Sequence, residues 1–515
     1  MDMKRITALV AVLCCFAAQA QTRIPRCASE DTLDVMSEAY WDIWNDDEQK
    51  RIDTDIDLYR KADATFKTGR IKKGTAVKVE QIKSEFVFGA SAFNWDQLGS
   101  KDANERYREL FGTLFNRATV PFYWKTFEPR PGQTRYEAGV ADTEEWWNKE
   151  KNPKQQPHWR RPATEPIIKW CEQHNVLVHG HPLVWGNRKF HYPEWMQTED
   201  IPEQERRALD SLETILFTTG AVTVPSYKNM TPAEVAGILP TYLAVEEQRT
   251  LQRVEDIMKH YEGRVDSWDV VNESAKDFGL GTQNPELPMC KSSYGIMFSD
   301  YTYKSFKKAE ECNTWGSLLN INDYVFDSRY IKQVEDLLGR GAKIDIIGSQ
   351  MHLFEPQQCL DIAAGSHKYK KAQPGHIRSF FAKLGALGVP TCLSEITITS
   401  AGEGERGEMI QAIIARNLYR LWFSLPSMMG ITWWNIVDNC GAPGEPTISG
   451  LFHRDMTPKK AFFALDDLLN HEWRTNIELT PDKKGKISWR GYKGTYRLTW
   501  TKPNGKVESA MFELK

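Results

Sequence analysis

Short apolar runs recur along the chain, and between them apolar positions return every three or four residues among polar ones. The runs are Glu85–Phe93, Arg117–Trp124, Val176–Trp185, Val265–Glu273, Leu318–Tyr324, Lys343–Leu353, Val389–Thr399 and Gly430–Asp438. Strands apolar on both faces, separated by helical lengths, predict an α/β fold, a (β/α)8 TIM barrel over residues 85–472. Ahead of it, Leu33 to Lys61 reads as a helix, with Trp41, Ile43, Trp44, Ile52, Ile56 and Leu58 among charged residues. Asp63 to Glu80 switches toward period two around Lys73-Gly74 and predicts a short hairpin, so residues 21–84 form an N-terminal helix and hairpin extension. From Trp473 to Lys515 the pattern alternates again, with turns at Lys484-Gly485 and Asn504-Gly505, which predicts a small antiparallel β appendage over 473–515. Two connections exceed a plain loop plus helix. Gly186–Val254 is expected to hold an insertion over the barrel mouth, and Gly139–Pro162 carries Trp146, Trp147, His158 and Trp159.

The first residues follow a different logic. Lys4 and Arg5 precede the apolar run Ile6–Phe16, and Ala18-Gln19-Ala20 offers a small-residue cleavage site. This is the pattern of a secretory signal over residues 1–20, too short to span a bilayer, and predicts a secreted or periplasmic protein with no membrane association after cleavage. The 66 basic and 69 acidic side chains give a net charge of −3, which argues against a nucleic-acid or anionic-membrane partner held by bulk charge. Beyond the signal lie Cys27, Cys171, Cys290, Cys312, Cys359, Cys392 and Cys440, with no CxxC spacing that would suggest zinc. Cys171 and Cys392 sit in apolar segments as core fillers, and Cys290 with Cys312 is a candidate pair. No metal or cofactor is expected, and a monomer is.

In a barrel of this kind functional residues gather at the C-terminal strand ends. Two of those ends carry a carboxylate on an otherwise apolar run, Glu273 after Trp268-Asp269-Val270-Val271-Asn272 and Glu395 after Cys392-Leu393-Ser394. An unpartnered carboxylate there costs several kcal/mol. Alone, each reads equally well as a salt-bridged strand end; as a pair across one mouth they suit glycosidic cleavage, one as acid/base and one as nucleophile. Asn272 is placed to donate to a sugar 2-hydroxyl. Trp185 and Trp434 can stack on pyranose faces, and Lys125, His181, Gln350 and His352 offer hydrogen bonds.

At these residues the chain resembles glycoside hydrolase family 10, the retaining endo-β-1,4-xylanases. Trp268 to Glu273 resembles that family's acid/base strand, and His181-Pro182-Leu183-Val184-Trp185 its strand-three segment. Lys125 with Glu128-Pro129 and Gly132, Asn322-Asp323-Tyr324, Gln350-Met351-His352-Leu353 and Ser394-Glu395 follow in the family's order. Trp434, Asp438, Leu451-Phe452 and Pro458-Lys459 complete a likeness that runs from about Phe86 to Leu469. The resemblance implies a retaining mechanism with Glu273 as acid/base and Glu395 as nucleophile, no metal, and a polysaccharide or oligosaccharide substrate.

The departures bear on substrate. Phe122 stands where the family has a sugar-binding Asn, Gly186 where it has His, Arg188 where it has Gln, Thr397 where an Asp orients the strand-six His, and Ala442 where a second Trp is expected. The leading expectation is hydrolysis of β-1,4-xylan or xylo-oligosaccharides. One alternative is the same mechanism on another or decorated β-glycan, with Arg188, Trp146 and Trp159 serving a charged or decorated sugar. The other is a non-catalytic carbohydrate-binding barrel.

Overall fold

The computed structural model describes residues 23–68, 71, 74–218, 230–280, 283–284, 286 and 294–515. The expected signal segment and Cys290 lie outside the described residues. Among the described residues fifteen strands follow in chain order: β1 (Lys61–Lys67), β2 (Val77–Ser84), β3 (Val87–Ser91), β4 (Arg117–Pro121), β5 (Leu177–His181), β6 (Val184–Trp185), β7 (Ser267–Asn272), β8 (Leu318–Asp323), β9 (Ile346–Leu353), β10 (Thr391–Ile398), β11 (Met428–Trp433), β12 (Asn476–Leu479), β13 (Lys486–Tyr492), β14 (Gly494–Thr501) and β15 (Val507–Leu514).

Strands β3, β4, β5, β7, β8, β9, β10 and β11 pair in parallel and in that order, and β11 returns to β3 through Gly430–Val87 to Trp433–Ala90, which closes an eight-stranded barrel. Every residue of β3, β4, β7 and β10 is buried, as strands covered on both faces require. Room for the Trp268 indole depends on Gly180, its ladder partner on β5: a Cβ there would lie 2.2 Å from the ring. Helices such as Pro240–His260, Ser328–Gly339 and Glu405–Ser424 form the outer layer.

The predicted helix over Leu33–Lys61 divides into Glu38–Ile43 and Asp46–Arg60, because Asn45 caps the second piece by accepting from Glu48 N at 3.0 Å. Trp41, Trp44, Ile52 and Ile56 join the barrel's own core. The predicted hairpin over Asp63–Glu80 is corrected: β1 pairs with β13, and β2 lies between β12 and β14. The two chain ends therefore build one β module with a shared core of Ala64, Val77, Val79, Ile487, Trp489, Tyr496 and Leu498.

The long connection after β6 folds into helices Glu203–Thr218 and Pro232–Ile238 before Pro240–His260, around a separate small core that includes Leu209, Leu212, Val235, Leu239 and Tyr242. The second insertion forms short helical turns in which Trp147 is buried 5.6 Å from the ring of Trp159. No described helix is long and apolar enough to cross a membrane.

Candidate active site

Two backbone irregularities aim the glutamates inward. Glu273 follows β7 with φ +56, a left-handed conformation uncommon outside glycine, and its N–H donates to Asn322 O at 2.7 Å. Glu395 follows a register shift between Leu393 and Glu395 in the β10–β9 ladder, which sets it opposite Gln350. A single amide then joins the two: Gln350 Nε2 donates to Glu273 Oε1 at 3.2 Å and to Glu395 Oε1 at 3.0 Å.

Their surroundings differ. Burial raises the Glu273 carboxyl to about 8, reinforced by the nearby Glu395 charge and opposed by a 2.7 Å hydrogen bond from the Tyr294 hydroxyl to Oε2. Burial also raises Glu395, to about 7, but His181 and a 2.7 Å hydrogen bond from Asn322 Nδ2 favour its ionised form. Burial and the neighbouring charge thus favour a proton on Glu273, while His181 and Asn322 favour the charge on Glu395. Asn272 Oδ1 accepts from Asn322 Nδ2 at 2.9 Å and from Gln350 Nε2 at 3.3 Å. With its oxygen so engaged, Asn272 presents its amide nitrogen as the donor for a ligand. Buried at 1% exposure, Asn272 is no glycosylation acceptor in this fold, although Asn272-Glu273-Ser274 has the sequon pattern.

Two histidines flank Glu395. His181 Nδ1 lies 2.7 Å and His179 Nε2 3.0 Å from the same Asp269 oxygen. Against a burial that would raise it, this pair keeps the Asp269 carboxyl well below the usual range. His179, His181 and Asp269 form a cluster close enough to ligate a cation, but their facing atoms are already bonded to one another. His352 Nε2 is 3.5 Å from Glu395 Oε2, and its Nδ1 is 2.9 Å from Thr397 Oγ1. Burial lowers His352 to about 3, so the ring is neutral. Thr397, paired with His352 in the ladder, thus keeps the orienting bond that the family's Asp would make, without its charge.

Trp185 and Trp434 join Phe93 and Tyr123 in one buried aromatic cluster. Tyr123 sets its edge against His181 at 5.5 Å, and Trp434 packs edge-on to the same ring at 5.3 Å. Trp434 Nε1 donates to Glu445 Oε1 at 3.2 Å, while Glu445 Oε2 accepts from Arg160 Nη1 at 2.6 Å. Of the residues chosen from sequence, Glu273, Glu395, Asn272, Gln350, His352, His181, Trp185 and Trp434 converge here. Lys125 stands apart, on the short helix Trp124–Phe127, with Nζ 3.3 Å from Glu194.

Arg188 is corrected as a sugar ligand: it is paired with Glu213 at 3.1 Å and with the buried Glu246 at 3.1 Å. Phe122 is fully buried against Trp268, not in the cleft. Sequence reasoning missed Asn322, Tyr294, Tyr123 and Glu445. Asn322 had a signal, since it sits in Asn322-Asp323-Tyr324 at the end of β8; Tyr294 and Glu445 lie in connecting segments that carry none.

Comparison with known proteins bears on the whole arrangement. The model of glycosyl hydrolase family 10 matches residues 82–468. Endo-1,4-beta-xylanase C of Paenibacillus barcinonensis is 23% identical over 459 residues, 81% of this chain and 35% of that protein. Endo-1,4-beta-xylanase A of Halalkalibacterium halodurans is 25% identical over 362 residues, 65% of this chain and 76% of its own. Native xylanase 10B of Thermotoga maritima aligns with TM-score 0.49 and 21% identity, over 75% of this chain and 96% of that one. The chain spans about a third of the length of the first relative and about three quarters of the second.

Proposed function

The chain belongs to glycosyl hydrolase family 10, and from that premise we propose that it is an exported glycosidase cleaving β-1,4-xylan or xylo-oligosaccharides with retention of anomeric configuration. The names of the relatives supply the substrate class. The observation that carries the mechanism is the shared Gln350 amide. Two hydrogen bonds of 3.2 and 3.0 Å connect the carboxylate oxygens, which suits the ~5–5.5 Å of a retaining pair better than the ~6.5–9.5 Å an inverting pair keeps for its water.

Glu273, the more readily protonated of the two, gives its proton to the leaving glycosidic oxygen while Glu395 attacks the anomeric carbon. The glycosyl ester on Glu395 is then hydrolysed by water that loses a proton to Glu273, which restores both groups. Asn272 Nδ2 bonds the 2-hydroxyl, and the aromatic cluster holds the ring. Export rests on the N-terminal charge and apolar pattern alone, and N-terminal sequencing of protein recovered outside the cytoplasm, starting at Gln21, would support it.

The test is product release from xylan by wild type and by Glu395→Ala, with the first-formed anomer read by proton NMR. Wild type should release the β anomer first, and the variant should lose about 10⁴-fold or more in kcat. An α anomer formed first, or a variant as active as wild type, would overturn the mechanism. A wild type inactive on xylan yet active on another β-glycan would move the substrate and keep the chemistry.

A further inference from the structure

A pocket of about 540 Å³ opens beside the aromatic wall of the cleft, lined by Lys125, Lys154, Arg161, Lys189, Trp159 and Phe190 among others. Two of its lining residues touch the aromatic cluster of the candidate active site. Phe190 stacks parallel on Trp185 at 6.2 Å, and the Arg161 guanidinium lies over the Tyr123 ring at 3.6 Å, the ring that touches His181. The loop at Ala442 and Pro443 closes one side just before Glu445.

The charge of this pocket is one-sided. The carboxylate lining it is Asp142, and that group is already held by Arg135. Lys125 faces only the exposed Glu194, and Glu445 is spent on Arg160. Lys154, Lys189 and Arg161 have no carboxylate within ion-pair distance among the described residues. A half-buried guanidinium with no carboxylate in direct contact is only partly compensated for its lost hydration, and a ligand carboxylate or sulfate would complete the pairing. Arg161 is also held flat by Tyr123 and by donating from Nη1 to Arg160 O at 2.9 Å, so its fork is oriented before any ligand arrives.

We propose that this pocket binds an anionic group carried by the sugar chain, a uronate carboxylate or a sulfate ester, while the chain's backbone lies across the glutamate pair. The site comes from the insertion Gly139–Pro162 and its neighbours, and Ala442 contributes space where a larger side chain would fill it. The proposal rests on the glycosidase reading above.

Steady-state hydrolysis is measured on xylotetraose, on its glucuronosyl-substituted form and on its sulfated form, at low and high salt, with wild type and Lys154→Glu/Lys189→Glu. Wild type should favour at least one acidic substrate by about fivefold or more in kcat/KM at low salt, an advantage that shrinks as salt rises. The double charge reversal should erase it, and Arg161→Gln should reduce it. Which acidic form gains identifies the anion. Equal kcat/KM for acidic and neutral substrates, or an advantage untouched by the double variant, would overturn the proposal. If no xylotetraose form is cleaved, the xylan reading fails by itself. Calorimetric titration of the glucuronosyl and sulfated forms then decides the pocket, since salt-sensitive binding lost in the double variant supports it and no binding overturns it.

Discussion

Glu273 has to keep a proton near neutral pH and release it during bond cleavage, and one contact restrains how tightly it holds on. The Tyr294 hydroxyl donates to Glu273 Oε2 at 2.7 Å, which favours the ionised carboxylate and lowers a pKa that burial and Glu395 push up to about 8. Removing that donor leaves the raising influences unopposed. Tyr294→Phe should therefore shift the basic limb of the kcat/KM profile to higher pH by about half a unit to one unit, because the acid form survives further into alkali. An unmoved limb would separate Tyr294 from the acid. The same carboxyl weighs on stability: the unfolded chain loses this proton near ~4.3 and the folded one near 8. Folding is thus weakened progressively as pH rises through that window. Glu273→Gln should raise the melting temperature at pH 8 and leave it nearly unchanged at pH 4, and equal shifts at both would contradict the ionisation argument. Residues of this kind were only partly legible in the sequence. Glu273, Asn272 and Glu395 announced themselves by ending apolar strands, and Thr397 by a change of type. Tyr294 and Glu445 act from connecting segments, where no periodicity says which side chain turns inward.

At the level of elements, one buried cation joins several parts of the insertion after β6. Arg188 reaches Glu213 on helix Glu203–Thr218 and Glu246 on helix Pro240–His260, and it also bonds the Tyr242 hydroxyl and Ile296 O. A Cβ on Gly295 would lie 2.5 Å from the Arg188 side chain, so the path is cut to fit it. Glu246 is fully buried, so losing Arg188 would strand a carboxylate that burial already lifts to about 7. Arg188→Met is expected to destabilise the protein by ~3–5 kcal/mol in urea unfolding, and Arg188→Met/Glu246→Gln to recover part of that, because the stranded charge is gone. KM on xylo-oligosaccharides should stay within about twofold of wild type. A tenfold rise in KM at wild-type stability would return Arg188 to the substrate. Arg188 suggested a ligand contact because it stands where the resembled family has Gln; the sequence carried no sign that residues 25 and 58 positions away would close around it. The barrel strands were legible for the opposite reason, since burial on both faces imposes an apolar run whatever the partner. The N-terminal hairpin was misread because period two marks a strand and is silent on what it pairs with.

Across the whole molecule, those pairings make the two chain ends one structure. β2 lies between β12 and β14, β1 pairs with β13, and Trp473 stacks on Phe423 at 4.0 Å and Phe88 at 5.7 Å beneath the barrel. The N-terminal helices are equally committed, with Arg420 paired to Asp53 and Arg378 to Glu48 and Asp55. The termini therefore close the end of the barrel opposite the glutamates and share its core, so barrel and module are expected to melt together in one calorimetric transition. Cutting the chain after Trp473 would remove both partners of β2 and the partner of β1, leaving Val77, Val79 and Ala64 uncovered on unpaired strands. Exposed edges and apolar faces of that kind associate with other chains. The truncated protein should accumulate in the insoluble fraction, and any soluble part should melt well below the full chain. A truncated chain that is soluble and melts like the full one would mean that the module is only an attachment, and that the barrel bottom is closed without it.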